Sequence, residues 1–102
     1  MKLSIKDRIV FEAFLPKQGN IVDIKVAKDL REKVEIQQEE MIKVNLRVEG
    51  AFTKWDAGKD FDIEIEITDL EKSLLKKQVE ELDKLKSIND QNLDLALKIQ
   101  EM

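Results

Sequence analysis

Apolar positions recur along this chain with two different periods, and the change of period divides it. Ser4 followed by Asp7 reads as a helix N-cap with an acidic partner three residues on. Ile5, Ile9, Val10, Ala13 and Phe14 then recur at helical spacing, and Leu15-Pro16 ends the run, because the residue before proline is pushed out of the α region. Lys17-Gln18-Gly19 is a turn. Asn20 with Asp23 repeats the cap pattern and opens a second helix with Val26, Ala27, Leu30 and Val34 on its apolar face. Gln37 to Val44 reads as a third, short helix with Met41 and Ile42 facing inward.

From Val44 the period becomes two. Val44, Leu46 and Val48 alternate with Asn45, Arg47 and Glu49, and Phe61, Ile63, Ile65 and Ile67 alternate with Asp62, Glu64 and Glu66. Each run predicts a strand with one dry and one wet face, punctuated by Gly50 and by Ala57-Gly58-Lys59. Phe52 to Trp55 either extends the first strand past a bulge at Gly50 or forms a short middle strand. Thr68-Asp69-Leu70-Glu71 is a capping box that starts a helix to about Lys86, with Leu75, Val79, Leu82 and Leu85 as its stripe. Ser87 to Asp90 breaks it, and Leu93, Leu95, Ala96, Leu97 and Ile99 belong to a last helix lying antiparallel to the one before. The order ααα-ββ-αα predicts one α+β domain over residues 1–102: three N-terminal helices, a β-hairpin or short antiparallel sheet, and a C-terminal helical hairpin.

A chain of 102 residues is long enough for one modest core, burying roughly 65% of its extended surface. It has neither cysteine nor histidine, which excludes disulfides, thiolate nucleophiles, Ser-His triads and the usual zinc sites. The net charge of -4 is uneven: residues 1–50 carry ten Lys/Arg against nine Asp/Glu, and residues 51–102 carry eight against thirteen. An acidic second half repels phosphate, so nucleic acid is disfavoured as a partner. The apolar stretch Ile9 to Leu15 is interrupted by Glu12 and is too short for a signal peptide or a membrane span. A cytosolic protein with no membrane partner is expected.

Chemistry-bearing constellations are few. Asp60, Asp62, Glu64 and Glu66 place a carboxylate at every second residue, about 7 Å apart on one strand face. A hard cation needs oxygens converging from several directions, which a flat face does not supply, and Asp56 to Asp62 lacks the calcium-loop pattern. The row reads as a solvated face, with no metal site and no cofactor. Gly19, Gly50 and Gly58 are isolated, so there is no phosphate loop, and no base accompanies Ser4, Ser73 or Ser87. No catalytic residue stands out, and the chain reads as non-enzymatic. Trp55, the single tryptophan, and Phe52 beside it are the candidate protein contacts, since aromatics near loop tips are enriched at contact sites; the alternative is that they cap the open end of the core. On a regular strand both rings cannot face the core. A bulge at Gly50 would turn Trp55 inward and Phe52 outward, and its absence would do the reverse. Burial of Trp55 is the expectation.

Three helices and a hairpin also match the element order of a winged-helix DNA reader, whose third helix enters the major groove. Here that helix would begin Gln37-Gln38-Glu39-Glu40, and its carboxylates would repel phosphate. The stripe Leu75, Val79, Leu82 and Leu85 is too short for a sustained coiled coil and reads as core packing; a homo-oligomer remains compatible with the sequence.

Lys6-Asp7-Arg8 followed by Leu15-Pro16, Gly19-Asn20 and Asp29-Leu30-Arg31, then Trp55, Glu64-Ile65-Glu66-Ile67 and Leu82-Asp83, resembles small phage- and prophage-encoded proteins of this length. The last helix departs from that pattern in lacking aromatic residues. The resemblance implies an accessory phage product: a virion-assembly adaptor, a regulator or an inhibitor of a host system. It assigns no residue a role. The function expected is a small protein-interaction domain with a protein partner, and the alternative is a winged-helix-like DNA-binding regulator.

Overall fold

A computed structural model describes all 102 residues. The chain opens with a two-residue strand, β1 (Lys2–Leu3), which passes into α1 (Ile5–Val10) at a complete capping box. The Asp7 amide donates to Ser4 Oγ at 3.1 Å and the Ser4 amide donates to Asp7 Oδ2 at 3.0 Å. Past Val10 the helix tightens into a 3₁₀ segment, Phe11–Phe14. At three residues per turn, Phe11 and Phe14 lie above one another and are both fully buried, whereas Ala13 is exposed. The sequence expectation of a continuous α-helix to Leu15 therefore misplaced Ala13 and overlooked Phe11.

Asn20 caps α2 (Ile21–Val34) by accepting from the Asp23 amide at 2.8 Å, as the sequence predicts. Ala27, Leu30 and Val34 are buried and Val26 is half-buried. Thr68 and Glu71 form the predicted box at the start of α4 (Asp69–Lys84). This helix ends two residues early because Lys86 takes a left-handed φ of 55°, letting the Ser87 amide bond Leu82 O and the Lys86 amide bond Asp83 O. Leu75 and Val79 are buried on the predicted stripe, but Leu85, beyond the last turn, is exposed. The last helix, α5 (Leu93–Gln100), packs on α4 and buries Leu95, Ala96 and Ile99, with Lys76 Nζ donating to Met102 O at 2.6 Å.

The α+β class holds, but strand pairing departs from the simple expectation. The segment Ile63–Glu64, β4, pairs antiparallel with β1 in the register Lys2↔Glu64 and Leu3↔Ile63. This edge pairing puts Leu3 and Ile65 into the core and brings the chain's first residues beneath its later half. The other predicted strand is shorter than 44–48 and joins a separate sheet. Arg47–Glu49, β2, pairs with Phe52–Lys54, β3, across a tight turn at Gly50-Ala51. Only Gly50 of those two residues has positive φ, at 62°, the type II′ pattern that suits a right-twisted hairpin. There is no bulge at Gly50.

The main core contains Phe11, Phe14, Leu30, Leu75, Leu95 and Ile99 at its centre, all from the helices and the 3₁₀ segment. No residue between Val34 and Ile63 belongs to it or packs against it as a partly buried apolar neighbour. The molecule thus has a helical body and an arm, residues 35–62, that lies outside the main core.

Candidate contact surface

The arm begins with α3 (Gln38–Lys43), whose Gln37 amide donates to Glu40 Oε1 at 3.0 Å. Its C-terminus explains why Val44 does not start a strand. Asn45 adopts a left-handed φ of 55°, the Leu46 amide bonds Met41 O at 2.8 Å, and the Asn45 amide bonds Ile42 O at 3.2 Å. That closed helix end consumes Val44 to Leu46, and asparagine tolerates the left-handed position better than a branched residue. Val44 is buried, but at the helix end rather than on a strand. Met41 and Ile42 face outward, contrary to the inward placement predicted; Ile42 is 74% exposed. The face turned to the body instead carries Glu40.

Glu40 meets Arg8, a residue to which the sequence assigned no role. The Arg8 guanidinium is buried and donates four hydrogen bonds: Nε to Val34 O at 3.0 Å, Nη2 to Glu35 O at 2.6 Å, and Nη1 and Nη2 to the Glu40 carboxylate at 2.6 and 2.9 Å. It therefore ties α1 to the end of α2 and to α3 at once, with the planar fork that suits arginine. The Arg8 hydrogen bonds hold the Glu40 carboxyl below its ordinary value, against a smaller opposing effect of burial. At the other end of the arm Asp60 accepts from the Ile5 amide at 2.8 Å and the Lys6 amide at 3.4 Å, supplying the free N–H groups of α1 with an acceptor. Two polar clasps thus hold the arm where apolar packing does not. In sequence, Arg8 lies between the apolar Ile5, Ile9 and Val10 and could have been flagged as a cation on a core face; Glu40, thirty-two positions away, carried no such mark.

The hairpin register is Arg47↔Lys54, Val48↔Thr53 and Glu49↔Phe52. One face carries Arg47, Glu49, Phe52 and Lys54. The other carries Val48 and Thr53, and Leu46 and Trp55 continue it at the base. Trp55 and Phe52 therefore lie on opposite faces. Trp55 is half-buried at the base of the hairpin and Phe52 is 69% exposed near the tip. Trp55 turns inward because a two-residue turn, not a bulge, exchanges the parity between the strands. Its indole Nε1 is buried and has no hydrogen-bond acceptor.

The charged groups of the hairpin satisfy one another. Arg47 Nε donates to Glu49 Oε1 at 3.1 Å, Arg47 Nη1 to Asn45 O at 2.9 Å, and Lys54 Nζ lies 3.0 Å from Glu49 Oε2. Lys54 first and Arg47 second hold the Glu49 carboxyl below its ordinary value. Lys43 Nζ stands 4.2 Å from the centroid of the Phe61 ring, a cation–π contact at the base.

The predicted carboxylate row is dispersed. Asp60 caps α1, Glu64 Oε1 lies 2.8 Å from the Met1 amino nitrogen, and Asp62 and Glu66 are exposed. Only Ile63–Glu64 is strand, so the row never forms one face. An open cleft of about 620 Å³ borders Arg8, Glu12, Arg31 and Glu35, but the Arg31 fork is already taken by Glu12 at 2.9 Å through both Nε and Nη2. No helix is long and apolar enough to cross a membrane. No protein-family model matches the chain, and no curated protein or solved structure shows significant similarity to it.

Proposed function

We propose that this chain is a small, non-catalytic protein-interaction domain whose helical body presents the arm, residues 35–62, to a protein partner. The observation that carries the reading is the placement of Ile42, Val48 and Phe52. All three are more than two-thirds exposed, and all lie on the segment that contributes nothing to the main core. Apolar side chains that a fold does not need for its own packing, carried on a segment outside the main core, are what a docking surface offers. Phe52 is the proposed anchor at the tip, and Trp55 braces the hairpin from its inner face. The resemblance to phage and prophage proteins supports an accessory role, as an assembly adaptor, a regulator or an inhibitor of a host system, in the cytoplasm of a bacterial host.

The test compares affinity capture by the wild-type chain with capture by Phe52→Asp and by Leu97→Asp, a change of exposed apolar residue on the body. Loss of a bound protein in Phe52→Asp alone, with unchanged melting temperature, supports the reading. Equal capture by all three overturns it.

A further inference from the structure

The outer edge of β2 has a sequence that complements itself. In an antiparallel hairpin the hydrogen-bonded and non-hydrogen-bonded pairs alternate, and the pair that closes a two-residue turn, here Glu49–Phe52, is hydrogen-bonded. Val48 then belongs to a non-hydrogen-bonded pair, so its N–H and C=O point away from β3. No other strand covers that edge, because the hairpin is a sheet of only two strands. Protein edges are commonly blunted by proline, by an inward charge or by a covering element. At this edge the central residue is Val48, 75% exposed.

We propose that the chain self-associates through β2, pairing antiparallel with a second copy about a two-fold axis at Val48 to make a four-stranded sheet. The proposal rests on the reading of the arm as a contact surface and names its occupant. Pairing about Val48 sets Val48 opposite Val48, Arg47 opposite Glu49 of the second copy, and Glu49 opposite Arg47. Both ion pairs have opposite sign, the arrangement that directly facing strand positions favour. On the other face a rung of Thr53, Val48, Val48 and Thr53 crosses the sheet, and all four side chains are β-branched, the type that packs well on a pleated surface. The β3 edge lacks this symmetry: pairing about Thr53 sets Phe52 opposite Lys54. The isologous contact closes on itself and gives a dimer rather than a fibre. Two short strands make a small interface, in the transient class below about 1,200 Å², so the dimer is in exchange with monomer.

The chain contains no cysteine, which makes a single introduced thiol an unambiguous probe. In the proposed dimer the two Val48 Cα atoms form a hydrogen-bonded pair, about 5.5 Å apart and within disulfide reach. Under mild oxidation Val48→Cys should give a covalent dimer about tenfold or more faster than Thr53→Cys, whose residue lies one strand further from the axis. Equal rates overturn the proposal. Charge exchange supplies a second, independent test by sedimentation of the uncrosslinked chains at concentrations up to about millimolar. Arg47→Glu alone and Glu49→Arg alone should each weaken self-association by about tenfold or more, since like charges then face one another. Mixing the two variants should restore dimer, because a strand acidic at both positions would then face a strand basic at both. That rescue cannot arise within one chain, where both variants lose their own Arg47–Glu49 pair. Absence of rescue, or a wild-type chain that stays monomeric throughout, overturns the proposal. A monomeric wild type that still loses a bound protein in Phe52→Asp would discard self-pairing and leave the contact reading standing.

Discussion

The body and the arm are built from the same kinds of residue but held by different forces. In the body, side chains such as Phe11, Leu30, Leu75 and Ile99 are wholly removed from water and pack on one another. The arm is fastened chiefly by directed polar bonds, from Arg8 to α3 and its approach and from Asp60 to α1. Apolar burial is non-directional and sums over many contacts, so the loss of one atom is shared. A charged hydrogen-bond cluster is the reverse: it specifies one arrangement and depends on each member. A small domain with a limited core can carry a projecting surface in this way. The arm needs little apolar burial of its own, and its apolar side chains stay free to meet something else.

The largest expected contrast comes from two phenylalanines. Phe11→Ala, in the body, should cost about 3–5 kcal/mol, enough to threaten folding of a domain this size. Phe52→Ala should shift stability by no more than about 0.5 kcal/mol in chemical denaturation. If Phe52→Ala costs as much as Phe11→Ala, the division into body and arm is wrong.

Arg8→Met tests the clasp. It removes a buried cation and leaves Glu40 and two backbone carbonyls without their donor, so a cost of about 3 kcal/mol is expected. The distribution matters more than the total. Hydrogen exchange should quicken first at the amides of α3 and the hairpin, while α2 and α4 retain protection closer to global stability. Uniform loss across the chain would show that Arg8 supports the body, not the arm.

Acid should separate the regions further. Glu40 is held below the ordinary value of 4.5 by Arg8. In Glu71, burial pushes the carboxyl up, but Lys33, whose Nζ is 2.6 Å away, and the Thr68 amide outweigh it and the net direction is downward. Both groups therefore bind fewer protons folded than unfolded. Their contribution is present above 4.5 and is lost as pH falls through the lowered folded values. Glu40 governs the arm and Glu71 the start of α4. In Glu40→Gln the acid-induced change in Trp55 fluorescence should shrink, while the loss of helical ellipticity keeps its Glu71-linked course. An unchanged fluorescence titration would detach Trp55 from the clasp.

The most local expected effect belongs to the turn. Gly50 has a φ of 62° with open space around it, so Gly50→Ala meets no clash but costs about 1–2 kcal/mol for an L side chain at positive φ. That cost should loosen the hairpin alone, seen as faster exchange at β2 and β3 with little change in the melting of the body.

Where the chain's structure depends on neighbours in sequence, the residues alone determined it. The caps at Ser4, Asn20 and Thr68 each need an acceptor and a donor three residues apart, and all three stand where the spacing puts them. The buried faces of α2 and the first half of α4 follow from a period of 3.6 sustained over several turns. The α+β class follows from that period together with the alternation over 44–48 and 61–67. Short elements behaved differently. Over the six residues of α3 the apolar positions Met41 and Ile42 could not outweigh the Arg8–Glu40 pair, whose members are far apart in sequence and meet only when α1 lies against the end of α2. Strand pairing was likewise a tertiary decision. The alternation over 61–67 marked a dry face correctly, but β4 found its partner in β1, a two-residue strand too short to leave any period. Alternation near Val48 marked a strand whose apolar residue faces water, because period two records which side chains share a face and says nothing of what covers it. Long-period burial is written locally; pairing, clasping and exposure are settled only when distant segments meet.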